Sequence, residues 1–198
     1  MAPVKHSTAP PTTVLRMSED AERYKRVANG FTARVSGVQA DQWDNPTPCT
    51  EWTVRDLVSH VVDTNRHVLS KLDGSEPAPA DAADDLVAQW TAVSADVLAA
   101  AQDPERGPKV VMGFTHEAPF ESLVGGLACS DTIIHTWDLA RATGQDEQLD
   151  QDAVAHSQAL LEGFGEGIRR PGGFGAIVPT STEADDQTRF LHFTGRQV

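Results

Sequence analysis

Apolar residues recur at steps of three and four along most of the chain, which is the rhythm of amphipathic α-helices. In the first such segment Tyr24, Val27 and Phe31 share one helix face. Thr53, followed three residues later by Asp56, is a capping-box signal for the start of a second helix. Together with capping and stop residues, this rhythm predicts helices at about 18–38, 53–72, 84–102, 119–143, 152–168 and 185–194.

The segments between these helices are rich in residues that interrupt regular structure. Two prolines exclude a helix from residues 44–50, and the Pro- and Ala-rich residues 73–83 are predicted to form a linker. A short extended segment is expected at residues 109–114. Four long amphipathic helices favour an all-α fold, an antiparallel four-helix bundle with short C-terminal helical additions. We expect one domain over residues 17–198 and a disordered leader over residues 1–16, which lack the apolar stretch of a signal peptide.

Charge and cysteine content narrow the possible partners. The chain has 16 Lys and Arg against 29 Asp and Glu, a formal net charge of −13, and no basic stripe, so nucleic acid is not an expected partner. No apolar run approaches the roughly 18 residues of a membrane span, so no membrane association is expected. Cys49 and Cys129 lack paired spacing and are predicted to be reduced thiols of a cytoplasmic protein, with Cys49 packing in its loop. The expected partner is therefore a small-molecule substrate.

Three ionisable residues lie on the apolar face of the fourth predicted helix. At about 100° per residue, Asp131, His135 and Asp138 fall within the arc that also holds Leu127 and Ile134. A buried carboxylate needs a partner, because burial of an unpaired charge is costly. Asp131 and His135 are four residues apart, so they are neighbours on the helix and could both bind one small cation. The alternative is a hydrogen-bonded Asp–His pair without metal.

Histidines elsewhere could complete such a site. His60 lies at the edge of the apolar face of the second helix, and His67 follows two turns later. Either could be a surface histidine, but His60 stands within the apolar run LVSHVV and could reach a neighbouring helix. Two imidazoles and one carboxylate would form the ligand set of a catalytic zinc or related site with open positions. His116, in the loop before the fourth helix, could approach the site, although a surface position is the simpler interpretation.

Other polar and aromatic residues have structural as well as functional interpretations. Asp138 could orient a ligand histidine from outside the coordination sphere, or it could pair with Arg141 or Arg55. We favour such a structural pair. Trp52 and Trp137 are expected to anchor the core rather than to stack on a ligand.

Two sequence blocks resemble a known family. Residues 47–60 read TPCTEWTVRDLVSH, and residues 131–144 read DTIIHTWDLARATG. Both are similar to the hallmark blocks of the DinB-like metal-binding proteins related to mycothiol-dependent maleylpyruvate isomerase, and residues 174–196 resemble the family's short ending. The resemblance implies a four-helix bundle with a divalent metal, usually zinc and sometimes nickel, bound by His60, Asp131 and His135. It also implies activation of a thiol cosubstrate such as mycothiol or bacillithiol, whose pKa metal ligation lowers.

The chain departs from the isomerase in two respects. Asp131 stands where the isomerase has Glu, and the residues after Gly144 are too few for the isomerase's C-terminal domain in full. Maleylpyruvate isomerase activity is therefore not expected.

Three functions stay open. We favour a metal- and thiol-dependent S-transferase that acts on small electrophiles. The alternatives are a metal-dependent biosynthetic or hydrolytic enzyme without thiol, and a non-catalytic metal-binding bundle. The last predicts a closed coordination sphere, with His67 or His116 as the fourth ligand. We also consider a homodimer, because helical bundles often pair through an apolar face.

Overall fold

The structure is a computed structural model that describes residues 18–113, 115–169 and 174–198. The predicted leader, residues 1–16, lies outside the described residues. The described residues are mostly helical, which confirms the all-α prediction apart from one small hairpin. In chain order the elements are α1 (Glu19–Val35), α2 (Val54–Ser70), α3 (Leu86–Gln102), β1 (Val110–Met112), β2 (Glu117–Pro119), α4 (Phe120–Leu123), α5 (Cys129–Thr143), α6 (Gln151–Gly163) and α7 (Asp186–Phe193).

Local capping residues fix where the long helices begin and end. At the start of α2, the Thr53 N–H donates to Asp56 Oδ2 over 2.9 Å, and the Asp56 N–H donates back to Thr53 Oγ1 over 3.3 Å. The Ser18 hydroxyl accepts the Ala21 N–H at the start of α1. Gly144 ends α5 in the left-handed conformation, with φ of 67°. The predicted helix starts are therefore confirmed to within a few residues, although α1 and α2 end two or three residues earlier than predicted.

Four helices enclose the core. Helix α1 packs against α3 and α5, and α2 packs against the same two helices, so the four form a ring around one apolar interior. Trp90 and Trp137 are among its largest fully buried side chains, which confirms the expected core position of Trp137, whereas Trp52 is only half-buried. Helices α6 and α7 pack against each other and α6 also packs on α5, as the predicted C-terminal additions.

The region before α5 differs from the prediction of one continuous helix from Pro119. Pro119 ends β2, which pairs antiparallel with β1, so the extended segment is half of a hairpin whose second strand was not predicted. A one-turn α4 and a π-helical turn, Val124–Ala128, then precede α5. Because a π-turn inserts an extra residue, a continuous 100° count does not hold across it, and Leu127 is only half-buried.

The helix predicted for residues 152–168 is also shorter than expected. Helix α6 ends at Gly163, and residues 165–168 form a 3₁₀ turn that begins at Gly165, whose φ is 55°. Glycines at alternate positions from Gly163 to Gly167 disfavour further helix.

Two expectations from composition can be compared with the described residues. Cys49 and Cys129 are both free thiols, as predicted. Within the described ranges, no helix has the length and apolar character needed to cross a membrane.

Candidate metal centre

Helices α2 and α5 bring three potential metal ligands together. His60 Nε2 lies 3.1 Å from Asp131 Oδ1, and His135 Nε2 lies 3.7 Å from the same oxygen. One ligand atom from each of His60, Asp131 and His135 can be chosen so that all three lie within 4.8 Å of one another. Residues 131 and 135 share a face of α5 because they are four apart, and the packing of α2 on α5 adds His60. The three residues singled out from the sequence therefore form one cluster.

The buried Asp131 carboxylate has one oxygen without a hydrogen-bond partner in the described residues, and a bound cation could serve as that partner. Its Oδ1 faces both imidazoles, but its buried Oδ2 has no hydrogen-bond partner among the residues that the structure describes. Burial alone would raise the pKa of Asp131, but the hydrogen bond from His60 and the charges of His135 and His60 hold it below its usual value. The lowered pKa favours the ionised carboxylate, and a hydrogen bond from Thr64 contributes to lowering it. A divalent cation bound by both carboxylate oxygens would also satisfy Oδ2.

The cluster is open to solvent on one side. The side chain of His60 is 36% exposed, against 15% for Asp131 and 9% for His135. Burial alone would lower the pKa of His60, but its hydrogen bond to Asp131 and the charges of Asp131 and Asp63 raise it overall. His60 is therefore the member of the cluster that solvent reaches most.

Behind the cluster, Asp138 holds the other ring nitrogen of His135. Asp138 Oδ2 lies 3.0 Å from His135 Nδ1, so the carboxylate accepts a hydrogen bond from the Nδ1–H tautomer and leaves Nε2 facing Asp131. Burial alone would raise the pKa of Asp138, but the charge of Arg196 and hydrogen bonds from His135 and Arg196 hold it well below its usual range. A carboxylate on the distal nitrogen is the usual way in which proteins orient a ligand histidine.

A second group of potential ligands shares His135. Cys49 Sγ lies 3.2 Å from Asp138 Oδ2 and 3.8 Å from His135 Nδ1. However, Arg196 Nη2 lies 3.4 Å from the same sulfur and 2.8 Å from Asp138 Oδ2, where a cation would have to bind. Burial and the charge of Asp138 also raise the pKa of the Cys49 thiol to about 12, so that it stays protonated. The cluster of His60, Asp131 and His135 is therefore the better candidate for a metal.

The loop before α2 places Trp52 and Cys49 beside the histidines of the site. The Thr47 N–H donates to the Trp52 carbonyl over 3.1 Å, which closes a short turn that presents both Cys49 and Trp52 to the two histidines. The Trp52 ring centroid lies 4.7 Å from that of His60 and 5.8 Å from that of His135. Glu51, beside it, has a φ of 78°, an unfavourable backbone conformation for a non-glycine residue that often occurs near functional sites. Trp52 thus packs on the two histidines as well as on the core.

The other histidines proposed from the sequence lie elsewhere. His67 is exposed on α2 and lines a surface pocket of about 300 Å³ with Asp63 and Glu76. His116 is exposed next to β2, with its Nδ1 3.0 Å from Thr115 Oγ1. Neither residue joins a potential metal-ligand group in the described part of the chain.

The arginine beside Asp138 is not one of the two suggested by the sequence. Arg141 pairs with Glu147 and stacks on Trp137, and Arg55 approaches Asp44. The partner is Arg196, which lies 58 residues further along the chain. No spacing pattern in the sequence indicates this contact.

Comparisons with known proteins agree with the site and the fold. The model of the family described as the mycothiol maleylpyruvate isomerase N-terminal domain matches residues 24–140, a range that contains all three clustered residues. Two proteins of Mycobacterium tuberculosis, from strains CDC 1551 / Oshkosh and H37Rv, are each 35% identical to this chain, and both are named only as uncharacterized proteins. Each alignment covers 88% of this chain and 96% of the relative. No solved structure matches significantly.

The chain therefore belongs to the mycothiol maleylpyruvate isomerase N-terminal domain family, a group with a DinB-like helical fold. The family resemblance of the two hallmark blocks is confirmed.

Proposed function

We propose that this protein binds one divalent metal ion, with zinc as the first candidate, and transfers a small thiol of the mycothiol type to small electrophiles. The observation that carries the proposal is the cluster itself. Two imidazole nitrogens converge on Asp131 Oδ1 beside the partly exposed side chain of His60, and Oδ2 of the same carboxylate is buried without a hydrogen-bond partner among the described residues.

His60, Asp131 and His135 would hold the ion, with nickel or another divalent metal as alternatives to zinc. The cluster has three members in the described ranges and includes neither His67 nor His116. Three protein ligands and an accessible edge favour a reactive site with a free position over a closed structural site.

A divalent cation held by these residues would act as a Lewis acid and would lower the pKa of a coordinating thiol toward neutral pH. Asp138 would keep the His135 ring oriented, and Trp52 would hold the His60 ring by packing on it. In the proposed reaction the thiolate sulfur attacks an electrophilic carbon. A carbon–sulfur bond forms, the leaving group departs with its electron pair, and the thiol proton passes to solvent.

The family description names mycothiol, and this supports that thiol as cosubstrate. The test is to follow conjugation of mycothiol, and separately bacillithiol, to monochlorobimane with zinc-loaded protein. We expect a rate above the protein-free background that falls at least about tenfold in His60→Ala. His116→Ala, which alters an exposed histidine outside the cluster, should retain the wild-type rate. No rate above background with either thiol, for protein loaded with zinc or with nickel, would exclude the thiol transferase.

A further inference from the structure

Arg196, which follows α7, is joined to Asp138 by two parallel hydrogen bonds. Its Nε donates to Asp138 Oδ1 over 3.2 Å, and its Nη2 donates to Oδ2 over 2.8 Å. Such a fork fixes the plane of a carboxylate as well as its position, because both oxygens are held at once.

Both charged groups are deeply buried. The Asp138 side chain is fully buried and that of Arg196 is 10% exposed. The same carboxylate accepts from His135 Nδ1 and from the Cys49 thiol, so donors surround it. Removing one partner of a buried ion pair leaves an uncompensated charge, which is strongly unfavourable. Arg196 therefore supplies the positive charge that compensates this buried carboxylate.

The segment that carries Arg196 is itself held in place. The Arg196 N–H donates to the Leu191 carbonyl over 2.8 Å, and its Nη1 donates to the Thr194 carbonyl over 2.9 Å. Gly195, with φ of 86°, lies against Gly175, where a Cβ would meet backbone atoms at 3.1–3.2 Å. The position of the guanidinium is thus set by α7 and by the segment that precedes it.

We infer that Arg196 is a positioning residue of the candidate metal centre, which holds His135 in the Nδ1–H tautomer by fixing the Asp138 carboxylate. The inference rests on the proposed function in that His135 is taken as a metal ligand. Arg196 lies outside the residues matched by the family model, so the C-terminal segment would complete a site whose ligands lie inside them. The chain of contacts runs from α7 through α5 to the Nε2 atom that faces Asp131.

The direct test measures the His135 tautomer in metal-free protein labelled with ¹⁵N-histidine, using long-range ¹⁵N–¹H correlation and His135→Gln for assignment. We expect the Nδ1–H tautomer in the wild type and a mixture of both tautomers in Arg196→Met. Zinc affinity, measured by competition with a chromophoric chelator, should fall about tenfold in that variant. Arg189→Met is the matched control, because Arg189 lies on α7 but pairs with Asp186 near the surface, and it should leave both readouts unchanged.

A double-mutant cycle separates positioning from general stabilisation. If Arg196 acts through Asp138, Arg196→Met should lower zinc affinity by no more than about twofold in the Asp138→Asn background. The same tenfold loss in both backgrounds, or a wild-type tautomer and affinity in Arg196→Met, would overturn the inference. Should Arg196→Met fail to fold, Arg196→Lys replaces it, because lysine keeps the positive charge but cannot form the two parallel hydrogen bonds. A wild-type tautomer and wild-type zinc affinity in Arg196→Lys would equally reject the inference. Failure of the wild-type protein to bind zinc would refute the proposed function. The comparison of His135 tautomers between the wild type and the Arg196 variant would still test the role of Arg196.

Discussion

At the residue scale, a set of buried polar groups in the bundle is joined by hydrogen bonds close in sequence to the candidate site. The Tyr24 hydroxyl donates to Asn65 Oδ1 over 2.7 Å, and both residues are fully buried. Asn65 Nδ2 donates to the Val61 carbonyl over 2.9 Å and lies 3.4 Å from Thr132 Oγ1, next to Asp131. This network links α1, α2 and α5 at the level of the candidate ligands. Asp131 Oδ2 has no such partner in the described residues, and the same holds for Ser59 Oγ on α2 and Trp137 Nε1 on α5.

Removing the Tyr24 hydroxyl should weaken the fold measurably. Tyr24→Phe leaves Asn65 Oδ1 buried without its donor, so we expect the free energy of unfolding to fall by about 1–3 kcal/mol in urea denaturation. Adding Asn65→Leu removes the unpaired acceptor, and the double variant should lose less stability than the sum of the two single variants. Strict additivity, or a loss below about 0.5 kcal/mol in Tyr24→Phe, would show that this hydrogen bond contributes little.

At the element scale, the π-helical turn before α5 is the main departure from regular helix packing. It contains Gly125, and a Cβ at that position would collide with the side chain of Asp20 on α1. Asp20 is also fixed by an ion pair of 2.8 Å with Arg23, which is buried. The absence of a side chain at Gly125 therefore allows the π-turn and α1 to approach closely. Turns of this kind often lie beside functional sites, and α5, which carries Asp131 and His135, begins directly after this one.

Two glycine substitutions should have opposite effects on stability. Gly125→Ala forces Asp20 or the backbone to move, so we expect a loss of about 1–3 kcal/mol in the free energy of unfolding. Gly30→Ala is the matched control within α1, because a Cβ there would meet no atom within 4 Å in the described structure outside its own helix. It should raise stability by about 0.5–1 kcal/mol through the better helix propensity of alanine. Equal effects of the two substitutions in thermal or urea unfolding would contradict this account of the close approach.

At the scale of the whole molecule, the site combines residues from two bundle helices, one loop and the C-terminal segment. The helices could be predicted because caps and apolar periodicity are local, as at Thr53 and Asp56. The hairpin could not, since strands as short as Val110–Met112 carry little periodic signal. His135 and Asp131 follow from helical spacing, and His60 follows from its place in the apolar run of α2 together with the family resemblance. Arg196 could not be predicted, because an ion pair across 58 residues leaves no local pattern. The assignment of the ligands, a homodimer and a cytoplasmic location stay predictions.

The central claim is that His60, Asp131 and His135 bind one divalent ion, and metal content measures it most directly. Wild-type protein would be purified without added metal, equilibrated with a slight molar excess of zinc, dialysed and analysed for metal alongside His60→Ala and Asp131→Asn. His67→Ala is the control, because it removes an exposed histidine from the same helix as His60. We predict close to one ion per chain in the wild type and in His67→Ala, and at least about tenfold weaker zinc binding in the two ligand variants. Full metal content in folded His60→Ala and Asp131→Asn would contradict the claim.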